Sequence, residues 1–272
     1  MTPPAPGPEL AEAIRAGRHI VAAAVLAVLW AAEGVAPMFP ARSRRVGHAI
    51  NNLALAALNT ALAFCAAAVI LHATEWSREH RAGLLHWVGG PEWVRWILAM
   101  VLLDCWQYWW HRFNHRVHFL WRFHAVHHAD ADMDVTTGVR FHTIEIALSL
   151  LARIAVLSLL GLTVPQLVLY EALSLPVILF HHANINLPGP VDRSLRWLVV
   201  TPWMHVVHHS RLQPETDSNY SSFLSVWDRL FGSYRLRDRP KEVSLGLDGW
   251  QEAEWRGFAG MLLRPLRRRQ GN

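Results

Sequence analysis

Residues 49–71, "AINNLALAALNTALAFCAAAVIL", run for 23 positions without an Asp, Glu, Lys, Arg or His. A helix needs about 20 residues to cross the hydrocarbon core of a bilayer, so this stretch reads as a membrane span and sets the fold class. Working outward, four more apolar stretches are long enough or nearly so: Ile20–Met38, Val94–Trp110, Ile144–Gly161 and Val164–Phe180. The last two are short and separated only by "LTVP". They are either full spans or a hairpin that enters the membrane and returns to the same face. Only 17% of the 272 residues are charged, against about 25% in a soluble domain. Fourteen tryptophans suit the boundary between hydrocarbon and water. The expectation is an all-α integral membrane protein with four to five membrane-embedded helices and a histidine-rich helical cap.

The flanks give organisation and orientation. Residues 1–18 open with "MTPPAPGPEL" and read as a disordered tail; residues 19–93 hold the N-terminal spans, 94–240 one chemistry-bearing domain, and 241–272 a basic tail ending in "LLRPLRRRQ". Pro37 follows the small-residue triplet "GVA", which argues against a cleaved signal peptide. The loop "ARSRRVG" carries three arginines and no acid, whereas "ATEWSREHRAG" mixes both signs. The positive-inside rule then places residues 40–48, and by counting spans every clustered histidine, on the cytoplasmic side. A net charge of +5 raises nucleic acid as a partner. The arginines, however, lie between apolar runs and at the C-terminus, so they read as contacts with water and anionic headgroups. Cys65 and Cys105 lie within apolar segments without CxxC spacing, which argues against a disulfide framework or a thiolate metal site.

The chemistry lies in the histidines. In "HRFNH", His111 and His115 are four apart and share one helix face; in "HAVHH", His124, His127 and His128 fall at i, i+3 and i+4, and His205, His208 and His209 repeat that spacing in "HVVHH". Eight imidazoles from three helical pieces are too many for one tetrahedral zinc and imply two metals. Imidazole without thiolate suits iron, zinc, copper or nickel. His19, His48, His72, His80, His86 and His118 lack the pattern and read as satisfied or solvated rings. Asp104 precedes His111 by two helical turns, so it either fixes a ligand imidazole or makes a buried bond between helices. Glu33, inside the first span, is a functional suspect or an interfacial anchor near Pro37 and Arg42.

The order HxxxH, HxxHH, a lone His and HxxHH resembles the fatty acid hydroxylase and sterol desaturase superfamily of membrane-bound non-haem diiron oxidases. "DCWQYWWHRFNH" resembles its D-x3-Y-x2-H-x3-H block and "RFHTIE" its R-x-H-P-x-E block. "HHANI" resembles its H-x-N block, and "TPWMHVVHHS" with "DSNYSSFLSVWDRLFGSY" its long C-terminal signature. The resemblance runs from about Glu33 to Tyr234. It implies metal ligation by His111, His115, His124, His127, His128, His182, His205, His208 and His209, with His142 and His181 as further candidates. Thr143 stands where the family has Pro. Asp104, Asn184, Asp217 and Asn219 become candidates for supporting the ligands, and "WDRLFGSY" for packing beneath them.

The resemblance further implies two iron ions, O2 as co-substrate, and hydroxylation or desaturation at an unactivated C–H position of a fatty acyl, sterol-like or related lipid. The chain has no GxGxxG fingerprint and no cysteine array, so electrons are expected from an external ferredoxin- or cytochrome-type protein with its reductase. That donor would dock on "RVHFLWR" and the arginines of residues 235–239. A membrane zinc hydrolase is the alternative, although no HExxH occurs. A bis-histidine haem protein would leave most of these rings unused, and a transporter would place its ligands at midplane rather than where the apolar runs stop.

Overall fold

A computed structural model describes residues 8–40, 44–250 and 253–267, with side chains from residue 20 onward within those ranges except that of residue 253. The protein is all-α. Six principal helices come first: α1 Pro8–Val35, α2 Arg45–Glu79, α3 Glu92–Arg116, α4 His118–His128, α5 Thr143–Leu160 and α6 Val164–His182. Shorter ones follow: α7 Gly189–Leu195, α8 Pro202–His208, α9 Gln213–Thr216, α10 Val226–Leu230, α11 Ala253–Arg256 and α12 Phe258–Leu263.

Three segments are long and apolar enough to cross a membrane: Arg45–Trp87, which holds α2, then Thr143–Leu160 and Val164–His182; Ile20–Val35 is a shorter apolar helix. Their outer faces carry bare apolar side chains, with Phe64 81% exposed and Leu159 71% exposed. Such faces need lipid, not water. Residues 94–110 fall outside these candidate spans because α3 carries Arg95, Asp104 and Gln107 among its apolar residues.

The helices pack in pairs, α1 on α6 and α2 on α5, with α3 against α4 and α6. Leu103 of α3, Leu157 of α5 and Leu167 and Tyr170 of α6 form one buried core. Gly83 makes the approach after α2 possible: at φ 105°, a Cβ there would meet the backbone nitrogen of Gly161 at 2.2 Å. Gly161, at φ 70°, ends α5 in the left-handed conformation common after helices.

Both expected tails are revised. The N-terminal tail shrinks, because α1 opens at Pro8, where the missing N–H is harmless; residues 1–7 lie outside the described residues. The segment expected to be a basic tail folds back instead. Met261 is buried with Leu55 and Val126, and the Arg122 guanidinium donates to the Pro265 carbonyl. Its apolar residues outweigh the arginine count that suggested a tail.

Glu33 joins three segments. Its carboxylate accepts from the backbone N–H of Val135 (2.7 Å) and Asn184 (2.7 Å), and pairs with Arg45 at 2.7 Å. This is the anchoring role among the two that sequence left open.

Candidate metal centre

The ends of α3, α4, α6 and α8 meet at one place, and each brings histidines to it. The imidazoles form two groups, His111, His115, His124, His128 and His208 in one, His127, His182, His205 and His209 in the other; within each, one nitrogen per ring lies within 4.8 Å of all the rest. The adjacent pairs divide. His127 and His128 differ by about 100° around α4, so each points into a different group. His208 and His209 divide likewise at the end of α8.

The outer nitrogens are held first. His111 Nδ1–H donates to the Tyr220 carbonyl (2.7 Å) and His208 Nδ1–H to the Ser218 carbonyl (2.6 Å). His182 Nδ1–H donates to Ile178 O (2.7 Å) and His127 Nδ1–H to Arg140 O (3.3 Å). In a neutral ring with Nδ1 protonated, Nε2 carries only a lone pair. Yet the Nε2 atoms of His111 and His208 face each other at 3.0 Å, and those of His127 and His182 at 3.1 Å. Two facing lone pairs repel unless a proton or a cation sits between them. Burial opposes the proton, pushing His127, His128, His205, His208 and His209 well below the ordinary imidazole range.

A metal fits these contacts. Nitrogens about 2.0–2.1 Å from a shared ion are about 2.9 Å apart at right angles and about 3.3–3.4 Å apart at the tetrahedral angle. The Nε2 separations here are 3.0–3.2 Å. Several further ring nitrogens are buried without a hydrogen-bond partner, including both of His128 and Nε2 of His124. Buried polar atoms in that condition call for a missing partner.

The remaining candidates divide clearly. His142 is not in either group: it caps α5, its Nδ1 accepting from Ile144 N–H (3.0 Å) while Nε2–H donates to Leu262 O (3.1 Å). Thr143, at the first position of α5, occupies a place where Pro is also accommodated. His181 lies outside the groups but its ring packs on His205, centroids 4.0 Å apart. Among the described residues Asp104 is hydrogen bonded to no imidazole; it accepts from Tyr170 OH (3.0 Å), Leu224 N–H (3.1 Å) and Trp227 Nε1–H (2.6 Å), fastening the C-terminal segment to α3. Asn184 ties down Phe39 instead, accepting from its N–H at 2.8 Å. Asp217 approaches His115 Nδ1 at 3.7 Å.

Asn219 acts through its neighbours. At φ 50° it takes the left-handed turn that asparagine tolerates, and its amide donates to Met204 O (2.8 Å) and Arg235 O (2.6 Å). The carbonyls on either side, Ser218 and Tyr220, are those that hold His208 and His111. Beneath them Asp228 accepts from the N–H groups of Tyr220 (2.7 Å) and Ser221 (3.0 Å), so "WDRLFGSY" packs under the cage.

One supporting residue was not singled out from sequence. The Glu145 carboxylate accepts from His124 Nδ1 at 2.8 Å, and both groups are buried. Its signal was the last letter of "RFHTIE", where attention fell on the histidine. His48, read as a satisfied ring, bridges Asp130 (2.9 Å) and Asp134 (3.0 Å) behind α4.

A profile of the family described as fatty acid hydroxylase matches residues 96–233. The chain is similar to ornithine lipid hydroxylase OlsE of Rhizobium tropici, 31% identical over 174 residues, which is 64% of this chain and 50% of that protein. Human alkylglycerol monooxygenase is 31% identical over 155 residues, 56% of this chain and 33% of that protein. Rat cholesterol 25-hydroxylase is 25% identical over 159 residues, 55% of this chain and 50% of that protein. The chain thus spans half or less of the length of these relatives. No solved structure matches it.

Proposed function

The chain belongs to the fatty acid hydroxylase family, and from that premise we propose that it is a membrane-bound diiron enzyme that uses O2 to hydroxylate an unactivated C–H position of a lipid. Residues 94–240 form its diiron domain. The facing Nε2 lone pairs at 3.0 and 3.1 Å are the observation that carries this reading. Bound iron would supply dioxygen reduction and C–H oxidation.

The chain's own residues do the rest. His111, His115, His124, His128 and His208 would hold one ion, and His127, His182, His205 and His209 the other. Carbonyls of Tyr220, Ser218, Arg140 and Ile178 fix the tautomer that leaves Nε2 free to ligate. Glu145 makes His124 a better donor by drawing on its outer proton. Burial of these rings keeps water away from the reacting position, and the bare apolar faces of α2 and α5 bring the protein to its lipid. The cage would lie on the cytoplasmic side. Electrons would come from a separate carrier protein; of the expected docking arginines, Arg237 and Arg239 are already paired with Glu215 and Glu242.

Names of the relatives support hydroxylation over desaturation, since ornithine lipid, alkylglycerol and cholesterol appear there as hydroxylation or monooxygenation substrates. Lipid mass spectrometry on cells with and without the gene tests this. The expected result is a lipid heavier by one oxygen that depends on the gene; loss of two hydrogens instead would mean desaturation, and no change in any lipid would defeat the reading.

A further inference from the structure

Beside the histidine groups lies a cavity of about 640 Å³ whose lining includes Arg122, Arg211, Arg264 and Arg267. That volume is in the range of small-molecule sites, about 300–1,000 Å³. One carboxylate, Asp248, shares the lining; its side chain is 85% exposed and, among the described residues, pairs with Arg211 at 3.4 Å. The cavity therefore carries a strong positive excess. Each guanidinium has five N–H donors, and few are spent. Arg122 uses its Nε–H on Pro265 O and Arg264 uses Nη2 on Gly249 O (3.1 Å). Arg211 Nε is buried with no hydrogen-bond partner among the described residues, which leaves a donor asking for an acceptor.

The other walls are indoles. Trp121 and Trp250 line the cavity, and the Trp121 ring also packs on the cage, 5.0 Å from His115 and 5.4 Å from His128 between centroids. One indole thus separates the arginines from the proposed ligands. Residues flanking the lining in sequence leave apolar side chains bare: Phe119 is 55%, Leu263 51% and Leu266 52% exposed. A basic concavity with tryptophans, whose neighbours in sequence leave apolar side chains bare, suits the headgroup layer of a membrane.

We infer that this cavity binds the anionic headgroup, phosphate or carboxylate, of a membrane lipid, and that the enzyme's substrate is an acidic lipid. The inference rests on the lipid-oxidation reading above and names its substrate class. Guanidinium forks match both oxyanions, pairing two N–H groups with two oxygens. The indoles then flank the first carbons of the chain, bringing the part of the lipid next to the headgroup closest to the cage. A concave site of this size favours a headgroup over the broad face that a docked electron carrier requires.

Photo-crosslinking tests it. Full-length protein in phosphatidylcholine nanodiscs receives phosphatidylglycerol with a diazirine near the headgroup, and adducts are mapped after irradiation. Adducts should fall on the peptides holding Trp121 and Leu247, and unlabelled phosphatidylglycerol should compete while inorganic phosphate should not. Arg211→Gln should reduce labelling about tenfold, the size of one charge-assisted hydrogen bond. Leu247→Trp, which fills the cavity and keeps every charge, should reduce it as well.

Labelling spread along the apolar helices, or unchanged in both variants, overturns the inference. Competition by inorganic phosphate as strong as by lipid makes this a free-anion site and also overturns it. Protection by an acidic electron-carrier protein, with none by lipid, reassigns the cavity to the donor. Iron is measured in every sample: normal iron without cavity labelling refutes this inference alone, whereas a labelled cavity in protein unable to hold iron refutes the oxidation reading alone.

Discussion

In the five-histidine group, His111 and His208 lean on the carbonyls of Tyr220 and Ser218, and His124 leans on the Glu145 carboxylate. In the four-histidine group, His127 and His182 lean on the carbonyls of Arg140 and Ile178, and among the described residues no carboxylate is hydrogen bonded to a ring. The first group therefore draws its support from a turn at residues 218–220, far along the chain from α3. The second is braced closer to home: His182 finds its carbonyl four residues back in its own helix. Two histidine groups built from the same helices are thus held to different parts of the fold, and as ion sites they should fail differently.

The largest effect should follow loss of a ligand. His128→Ala strikes the first group and His209→Ala the second; each should abolish lipid oxidation and lower bound iron, because the remaining rings cannot close the shell. Product formation and iron content measured together check this. Full activity in either variant would break the assignment of that residue.

Acid should act next, on both groups. The buried imidazoles of His127, His128, His205, His208 and His209 resist protonation in the folded protein. The unfolded chain takes up those protons first as pH falls through about 6.5. Folded metal-free protein should therefore lose stability below that pH and regain it above, and iron should be released in the same direction, since ligands must be deprotonated to bind. Thermal unfolding of the metal-free protein across this range measures it; a melting temperature that rises on acidification would contradict the account.

A smaller and more selective effect should come from Glu145→Gln. Removing a carboxylate behind a metal-bound histidine weakens affinity about 10–100-fold. Only the five-histidine group should respond, so chelator titration should show one of two iron populations leaving earlier. His142→Ala, three residues away, should leave iron binding unchanged, because its ring contacts only Ile144 N–H and the Leu262 carbonyl among hydrogen-bonding groups. Equal loss of both populations in Glu145→Gln would erase the distinction between the groups.

Sequence carried the spans at residues 49–71, 144–161 and 164–180 and the clustering of nine histidines because both are written locally, as uninterrupted hydrophobicity and as i, i+3, i+4 spacing, whereas residues 94–110 were over-read as a span. It also suggested two metals, and the rings do fall into two groups. What it did not carry was the allocation of rings: that the doublets His127–His128 and His208–His209 each divide between the two groups depends on which histidines of the other helices meet them, a tertiary property. The supports were hidden for the same reason. Asp104 shares a helix face with His111 but meets Tyr170 and Trp227, because the C-terminal segment packs there. His142 went to a helix cap once Glu145 and not the histidine turned toward His124. The C-terminal residues read as a charged tail because the burial of Met261 is invisible without α2 and α4.

The central claim is that two separate ions occupy these two histidine groups. Elemental analysis of the purified full-length protein, with an optical spectrum of the same sample, tests it most directly. The account predicts two irons per chain and no Soret band. Stoichiometric zinc without iron, or a haem Soret band, would contradict it.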